Sequence, residues 1–156
     1  MYDPLKLAEK TEKIVVNDNR RKYHRFRATH FYSGSATADA VGCNLRCVFC
    51  WADKPVREPH RMGRFYTPQE IAERLVNIAS RERFRLVRIS GAEPTIGRRH
   101  LLSLLGTLED YPLTFILETN GILIGYDKNF ACELSSFKNL HVRVSLKGCS
   151  EDEFRW

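Results

Sequence analysis

Three cysteines stand close together between Cys43 and Cys50, with Cys47 inside the segment and Phe49 directly before its end. Thiolates are soft, anionic ligands that suit iron–sulfur clusters. Three of them can hold three irons of a cubane cluster and leave the fourth iron open to a substrate or cofactor, which a closed structural metal site cannot do. A [4Fe-4S] cluster with an open coordination position is therefore one possible occupant of this C-x3-C-x2-C loop.

A zinc site is the alternative use of this cysteine loop. Structural zinc sites usually hold C-x2-C pairs and need a fourth ligand. His60 follows Cys50 by ten residues and supplies a candidate for that ligand. A Cys3His zinc site therefore stays open on these residues, although it gives no role to the motifs further along the chain.

The composition is that of an ordinary globular protein of one domain. The chain has 156 residues, 43% of them apolar and 28% charged, which is enough for a buried core. No apolar run approaches the ~20 residues of a membrane span, and the first residues lack an apolar signal segment. We therefore expect a cytoplasmic protein without membrane contact. Five cysteines, three of them in one loop, suit metal binding in a reducing compartment.

Positive charge is concentrated before residue 65 in a chain whose net charge is +6. The basic residues there include Arg20, Arg21, Lys22, Arg25, Arg27, Arg57, Arg61 and Arg64. Aromatic residues interleave with them, which is a pattern found on nucleic-acid surfaces. The same pattern fits a solvated basic face or a site for a small anion. Nucleic acid is therefore an open but less favoured partner.

Predicted strands and helices alternate from residue 36 onward. The strands are the apolar or alternating runs 36–42, 86–90, 113–119 and 140–146. In the last run Val142 and Val144 face one way, while Arg143 and Ser145 face the other. Alternation of this kind predicts an α/β fold with a parallel sheet. The unusual loops all follow strands, so they should gather on one rim of a curved sheet.

Three helices are predicted between these strands. The first begins at Thr67, where Pro68 and Glu70 complete a capping box. The second covers the leucines of 101–108. The third begins at Asp127 and carries Phe130, Leu134 and Phe137 at helical spacing. Cys132 falls in this helix, and we expect it to be a small buried apolar residue; Cys149 receives no role.

The cysteine loop resembles the cluster loop of the radical S-adenosylmethionine (radical SAM) superfamily. The segment Gly91-Ala92-Glu93-Pro94 resembles the GGEP motif of the same superfamily, with Ala92 in place of its second glycine. The resemblance covers residues 36–148 and implies a partial (βα) barrel. Barrels of this family have six βα units and the chain supplies about four. We therefore expect 36–156 to be a radical SAM domain whose C-terminal units are missing, and the polar segment 1–35 to be a basic N-terminal extension outside the barrel.

Two further segments resemble one subgroup, the glycyl-radical activating enzymes such as the pyruvate formate-lyase activase. Residues 118–121 (Glu-Thr-Asn-Gly) match its D-T-N-G segment, and residues 145–147 (Ser-Leu-Lys) match its D-L-K segment. The resemblance implies that Glu118 contacts the ribose or amino group of S-adenosylmethionine and that Lys147 reaches its carboxylate. Ser145 takes the place of an aspartate, so that contact is altered.

The resemblance to the radical SAM superfamily assigns the remaining cofactor-binding residues. Phe49 would lie against the adenine of S-adenosylmethionine, and Gly91, Ala92 and Glu93 would hold its amino group. A glycine at position 91 also allows the backbone to approach a ligand closely. No catalytic residue is assigned beyond the cluster that Cys43, Cys47 and Cys50 would hold.

The implied activity is reductive cleavage of S-adenosylmethionine to a 5′-deoxyadenosyl radical that abstracts hydrogen from a substrate. An electron donor such as flavodoxin or ferredoxin is the implied partner. These residues do not identify the substrate. A glycyl-radical protein is one candidate, and RNA is another, because residues 47–51 are also similar to tRNA wybutosine-synthesis radical enzymes. A truncated, non-catalytic fragment that binds a cluster is the third interpretation.

Overall fold

A curved mixed sheet with helices on one face organises the chain, and the computed structural model describes residues 3–148, Ser150 and Glu153. The strands are β1 (Val16–Asn17), β2 (Arg20–Thr29), β3 (Ser35–Ala40), β4 (Arg64–Tyr66), β5 (Leu86–Ser90), β6 (Thr114–Thr119) and β7 (Leu140–Val144). The helices are α1 (Pro4–Val15), α2 (Asp53–Arg57), α3 (Pro68–Glu82), α4 (Arg98–Leu108), α5 (Ile122–Tyr126) and α6 (Lys128–Ser135), with a 3-10 turn at Phe31–Ser33.

The sheet has a parallel half and an antiparallel half. Its strands are neighbours in the order β1, β2, β3, β5, β6, β7, with β4 also paired to β2. The four strands from β3 to β7 along this path are mutually parallel, and each begins and ends within two residues of its predicted bounds. The expectation of an α/β partial barrel is therefore confirmed.

Alternation along the strands separates an apolar face from a polar one. In β5, Val87 and Ile89 join the core that α3 and α4 cover, while Arg88 and Ser90 point to the opposite, concave side. The alanines of β3 repeat this pattern, with Asp39 on the concave side. The helices thus bury one face of the sheet and leave the other free for polar chemistry.

The capping box predicted for α3 is confirmed. The Thr67 hydroxyl accepts from the Glu70 backbone N–H at 3.2 Å, and the Glu70 carboxylate accepts from the Thr67 N–H at 2.7 Å. Pro68 occupies the first helical position, where its missing N–H is not needed. Within the described ranges, no helix is both long and apolar enough to cross a bilayer.

The segment before residue 36 departs from the expectation of an extension outside the barrel. β2 pairs antiparallel with β3 from Tyr23 opposite Ala40 to Thr29 opposite Ser35, so it continues the barrel sheet. α1 packs Ala8 and other apolar residues against the start of the cysteine loop. The sequence of this segment is polar because Arg25 and Arg27 occupy the concave face of β2. Tyr23, on the helix-covered face, is buried.

The basic run in β2 is largely used inside the protein. Arg21 and Lys22 are buried. Arg25 and Arg27 each donate from Nε to Oδ2 of the fully buried Asp39 at 2.7 Å. Burial raises the pKa of Asp39, but the hydrogen bonds and charges of the two arginines outweigh it and hold that pKa below its ordinary value. Nucleic-acid binding by this run stays a less favoured prediction.

The third predicted helix is α6. The Asp127 side chain caps it by accepting from the Asn129 N–H at 2.9 Å, and Phe130 and Leu134 form its buried face. Cys132 lies between them on the opposite side and is exposed, so the prediction that it is buried is wrong. The helical spacing pairs i with i+4, and residue i+2 necessarily points away. Cys149 lies outside the described residues.

β7 is the last strand of the described sheet. Arg143 within β7 and Ser145 directly after it line the concave side, as the alternation predicts. Val142 and Val144 share the helix-covered face with the neighbouring β6 residues. In the described part of the chain they remain 38% and 49% exposed. The alternation of β7 therefore matches the sequence, but its apolar face is only half covered.

A buried histidine makes the stability of the fold sensitive to pH. The His100 ring lies between the Tyr23 hydroxyl at 3.1 Å from Nε2 and the Asn19 carbonyl at 2.9 Å from Nδ1. Burial lowers the His100 pKa to about 4, and the charge of Arg21 adds to the effect. The unfolded chain, with an ordinary pKa near 6.5, therefore binds this proton first as the pH falls.

The free energy of unfolding should thus be highest above pH 6.5 and fall as the pH drops from 6.5 towards 4. Each unit of pKa difference is worth about 1.4 kcal/mol, so this histidine contributes up to ~3 kcal/mol of that loss. Urea unfolding at pH 7 and pH 4.5 measures it. His100→Gln should flatten the dependence in this window, and equal slopes in variant and wild type would contradict the assignment.

Candidate functional site

A cleft of about 520 Å³ opens on the concave side, where the parallel strands end. It brings together nine of the ten site residues predicted from the sequence, namely Cys43, Phe49, Cys50, Gly91, Ala92, Glu93, Glu118, Ser145 and Lys147. Cys47 belongs to the same loop as two of them but does not line the cleft. The loops after β3, β5, β6 and β7 therefore meet at one rim, as expected for parallel βα units.

Two local hydrogen bonds shape the cysteine loop. The Cys50 N–H donates to the Cys47 carbonyl at 3.2 Å, and the Leu45 N–H donates to Cys43 Sγ at 3.4 Å. Burial, followed by the negative charge of Glu93, raises the pKa of the Cys43 thiol to about 12. A thiol in such a place becomes a thiolate when a metal supplies compensating positive charge.

The donor set of this loop fits a cubane cluster better than a single ion. Across the described ranges, no three His, Cys, Asp or Glu side chains converge on one metal position. In a cubane each thiolate binds a different iron, so three sulfurs need not converge. His60 is exposed and does not line the cleft, and its carbonyl accepts from Lys22 Nζ at 3.3 Å. Two of the three cysteines, Cys43 and Cys50, line the cleft, and Cys47 lies in the same loop, which fits three cluster ligands beside a cofactor.

Glu93 is buried at the junction of two loops. Its Oε1 accepts from the hydroxyls of Thr95 and Thr119, each at 2.6 Å, and its Oε2 accepts from the Asn120 N–H at 2.8 Å. Its own N–H donates to the Gly42 carbonyl at 3.0 Å. The carboxylate thus joins the loops after β5 and β6. Direct contact between Glu93 and the amino group of a cofactor stays a prediction.

Gly91 is required by the fold itself. Its φ is +97°, and a Cβ there would lie 3.1 Å from both the backbone N and O of Ala40. Only glycine combines this left-handed conformation with so close an approach to the end of β3. The sequence led us to expect a close approach to a ligand at this position. The structure shows a close approach to the neighbouring strand, and the approach to a ligand stays a prediction.

Glu118 is already engaged by protein groups. The Tyr32 hydroxyl donates to its carboxylate at 2.7 Å, and guanidinium nitrogens of Arg88 and Arg143 lie at 3.4 Å and 3.8 Å. Burial raises the pKa of Glu118, but hydrogen bonds from Ser90 and Tyr32 and the two arginine charges outweigh it, so the pKa lies below its ordinary value. A contact between Glu118 and the cofactor stays a prediction, and it would compete with this network.

A strained aromatic turn completes that network. Tyr32 adopts a φ of +60°, which is uncommon for a bulky residue. The Arg88 guanidinium lies 5.3 Å from the ring centroid of Phe31 and 5.6 Å from that of Tyr32, and Arg143 hydrogen-bonds the Tyr32 hydroxyl. Sequence reasoning missed this turn because it lies in the segment expected outside the barrel. The one available signal was the pair of adjacent aromatic residues between two strands.

Lys147 and Phe49 face each other across the cleft. Lys147 Nζ lies 6.0 Å from the centroid of the Phe49 ring and donates to Ser145 Oγ at 2.8 Å. Phe49 is 68% exposed, so its ring has an open face. An ammonium group beside an open aromatic ring can hold a molecule that has both a carboxylate and a planar heterocycle.

The cleft carries more positive than negative side chains. Arg88, Arg143 and Lys147 line it, while Glu118 is shared between two of them and the Glu93 carboxylate is used by neighbouring loops. Cations in a cleft with apolar walls raise the local concentration of anions. The electrostatics of the cleft therefore favour an anionic ligand.

The fold has four parallel strands, and a three-cysteine loop lies at the rim of the partial barrel that they form. This combination is typical of one class of cluster-binding enzymes. The family model that describes the radical SAM superfamily matches residues 39–156. The chain belongs to the radical SAM superfamily. Enzymes of this superfamily use a [4Fe-4S] cluster and S-adenosylmethionine, and they need a reductant.

Curated relatives refine this placement. The chain is 34% identical to the probable GTP 3′,8-cyclase of Thermococcus kodakarensis over 119 residues, covering 72% of this chain and 34% of the relative. It is 34% identical to the GTP 3′,8-cyclase of Heliobacterium modesticaldum over 121 residues, covering 72% and 33%. It is 40% identical to the 7-carboxy-7-deazaguanine synthase of Hyperthermus butylicus over 83 residues, covering 53% and 33%.

The chain spans about a third of the length of these relatives. Their names refer to guanine-type compounds rather than to glycyl-radical proteins. The family model confirms the resemblance to the radical SAM superfamily. The resemblance to the activating enzymes stays a prediction.

Proposed function

We propose that the protein is a radical SAM enzyme that binds a [4Fe-4S] cluster through Cys43, Cys47 and Cys50 and S-adenosylmethionine in the adjoining cleft. The observation that carries this proposal is the meeting of four motif loops at one rim. When bound, the cluster supplies the electron for reductive cleavage of S-adenosylmethionine, with flavodoxin or ferredoxin as the proposed donor. The residues of the chain bind the cofactor, orient it and exclude water.

The proposed cofactor contacts use the groups of each loop that line the cleft and are not engaged by protein carboxylates. Lys147 would bind the carboxylate of S-adenosylmethionine, and the open ring of Phe49 would pack against its adenine. The backbone at Gly91 and Ala92 lines the cleft and would accept from the amino group. This assignment needs no carboxylate from Glu93 or Glu118, because both already have protein donors.

The cofactor assignment is tested at Lys147. Lys147→Ala should weaken S-adenosylmethionine binding about ten- to hundredfold, because a hydrogen-bonded contact between charged groups is worth about 1.5–3 kcal/mol. Iron content should not change. Equilibrium binding and iron analysis on the anaerobically reconstituted protein measure both quantities.

Lys138→Ala is the matched control for this prediction. Lys138 is an exposed lysine at the opposite end of β7 and does not line the cleft. Its replacement should leave cofactor affinity as in the wild type. Equal affinities in both lysine variants would contradict the contact proposed for Lys147.

The proposed substrate is a small anionic compound with a guanine-type ring. The positive cleft supports it through Arg88, Arg143 and Lys147, and the names of the relatives supply the ring. A glycyl-radical protein is the second candidate, which is favoured by the segments 118–121 and 145–147. An RNA substrate is less favoured, because four of the five basic residues in the run 20–27 are buried or paired.

The rate at which 5′-deoxyadenosine forms in the presence of each candidate distinguishes between these substrates. With dithionite as the reductant, GTP should stimulate cleavage of S-adenosylmethionine more than guanosine, which lacks the phosphates. Arg143→Met should reduce that difference, since the arginine side chain is 59% exposed beside the cleft. Cleavage that ignores every purine nucleotide would overturn the substrate proposal and leave the proposed cofactor chemistry standing.

A further inference from the structure

Arg21 is a buried cation at the junction of the two loops that form the candidate site. It lies on β2 and is 1% exposed. In the described part of the chain its guanidinium donates to backbone carbonyls and makes no salt bridge to a carboxylate. Burying a charge costs free energy unless its hydrogen bonds are satisfied, and here backbone carbonyls accept from all three guanidinium nitrogens.

The three nitrogens of Arg21 bridge the cysteine loop and the loop after β5. Nη1 donates to the Val41 carbonyl at 2.6 Å, two residues before Cys43. Nε donates to the Ile96 carbonyl at 2.7 Å, and Nη2 donates to the Glu93 carbonyl at 3.1 Å. One rigid group therefore holds carbonyls of both loops.

The chemistry of this bridge is specific to arginine. The guanidinium is planar and offers five N–H donors in a fixed fork, so it can serve three carbonyls that face different directions. A lysine ammonium has a single centre and cannot reach all three. Burial lowers the pKa of Arg21 to about 10, so the group keeps its charge near neutral pH.

We propose that Arg21 is a positioning residue of the radical SAM site, which fixes the spacing between the cysteine loop and the 91–94 loop and thereby sets the affinity for S-adenosylmethionine. The inference rests on the proposed function. Arg21 touches neither the thiols nor the cleft, and it acts through the carbonyls of Val41 and Glu93. The bond from the Glu93 N–H to the Gly42 carbonyl runs between the same two loops and depends on that spacing.

The first test separates positioning from general stabilisation. Arg21→Lys and Arg21→Gln should keep the cluster iron but bind S-adenosylmethionine about ten- to hundredfold more weakly. The change that S-adenosylmethionine causes in the electron paramagnetic resonance spectrum of the reduced cluster should be altered as well. Loss of stability alone would lower the melting temperature and leave the affinity of the folded protein unchanged.

Lys22→Met is the matched control. Lys22 is the neighbouring buried cation on β2, and its Nζ donates to the Pro59 carbonyl at 3.0 Å rather than to the loop after β5. Its replacement should lower the melting temperature while the affinity for S-adenosylmethionine stays that of the wild type. Equal affinity losses in the Arg21 and Lys22 variants would overturn the positioning role.

Amide hydrogen exchange on the protein without cofactor supplies an independent measurement. Residues 91–96 should exchange faster in the Arg21 variants than in Lys22→Met, because the bridge between the loops is lost. If neither Arg21 variant folds, the same exchange measurement is made on the wild-type protein alone. Its Glu93 amide should exchange only on global unfolding, and exchange through local opening would overturn the inference.

These outcomes also separate this inference from the proposed function. A wild type that takes up no cluster or cleaves no S-adenosylmethionine would end the proposed function. Faster exchange in the Arg21 variants would still show that Arg21 fixes the two loops. Conversely, an active wild type whose affinity and exchange do not depend on Arg21 would overturn this inference alone.

Discussion

Replacing Cys43, Cys47 or Cys50 by alanine is expected to abolish the iron–sulfur cluster and, with it, all cleavage of S-adenosylmethionine. The cubane needs three thiolates to hold three of its irons, and each variant keeps only two of them. Anaerobic reconstitution should give a brown wild-type protein with about four irons and four sulfides per chain. Each variant should stay colourless and form 5′-deoxyadenosine only at background level.

Cys132→Ala is the control for the cysteine variants. Cys132 is a free, exposed thiol on α6, outside the cysteine loop, and its loss should change neither colour nor activity. One tightly bound zinc per chain that requires His60 would contradict the cluster assignment. Because His60 is exposed and does not line the cleft, the structure gives that outcome little support.

The parallel half of the fold could be predicted because the pattern that defines each of its strands lies within a few consecutive residues. Each strand from β3 to β7 along the sheet is a short run that places apolar residues on the helix-covered face, and three of the four strands also carry a polar residue that lines the cleft. Arg88 and Ser90 in β5 show this, since they are flanked by Val87 and Ile89. Parallel strands place their carboxyl ends together, so the meeting of the motif loops followed from their order in the chain.

The antiparallel half could not be predicted in the same way. β2 carries arginines at its inward positions, and their partner Asp39 lies on another strand. Without that partner, the run reads as a solvated basic segment. Burial of Arg21 depends on carbonyls that are distant in sequence, at Val41, Glu93 and Ile96. Such long-range compensation leaves no local pattern to recognise.

Contacts within the candidate site were beyond sequence reasoning for a related reason. The sequence indicated that Glu93 and Glu118 belong to the rim, but it did not show which donors they already hold. Glu93 accepts from two loops, and Glu118 accepts from Tyr32 and two arginines. A carboxylate at a site can bind a ligand or hold the site together, and only the geometry of its donors separates these roles.

Glu93→Gln is expected to have the largest effect on stability among single changes in the site. Its carboxylate accepts from two hydroxyls and two backbone N–H groups, at Thr95, Thr119 and Asn120. A glutamine must turn its NH2 group towards one of those backbone donors and also loses the negative charge. Hydrogen bonds to charged groups are worth about 1.5–3 kcal/mol, so we expect a loss of about 2–4 kcal/mol in the free energy of unfolding.

Glu133→Gln is the control for removing one carboxylate charge. Glu133 pairs with Arg98 at 2.7 Å on the surface and is 47% exposed, so its replacement should change stability by less than about 1 kcal/mol. Denaturant unfolding without cofactor gives the free energies, and binding measurements give the affinity for S-adenosylmethionine. Glu93→Gln should lower both, because the loops after β5 and β6 separate. Unchanged stability with weaker binding would instead mean that the Glu93 carboxylate contacts the cofactor itself, and the role inferred from its four donors would be wrong.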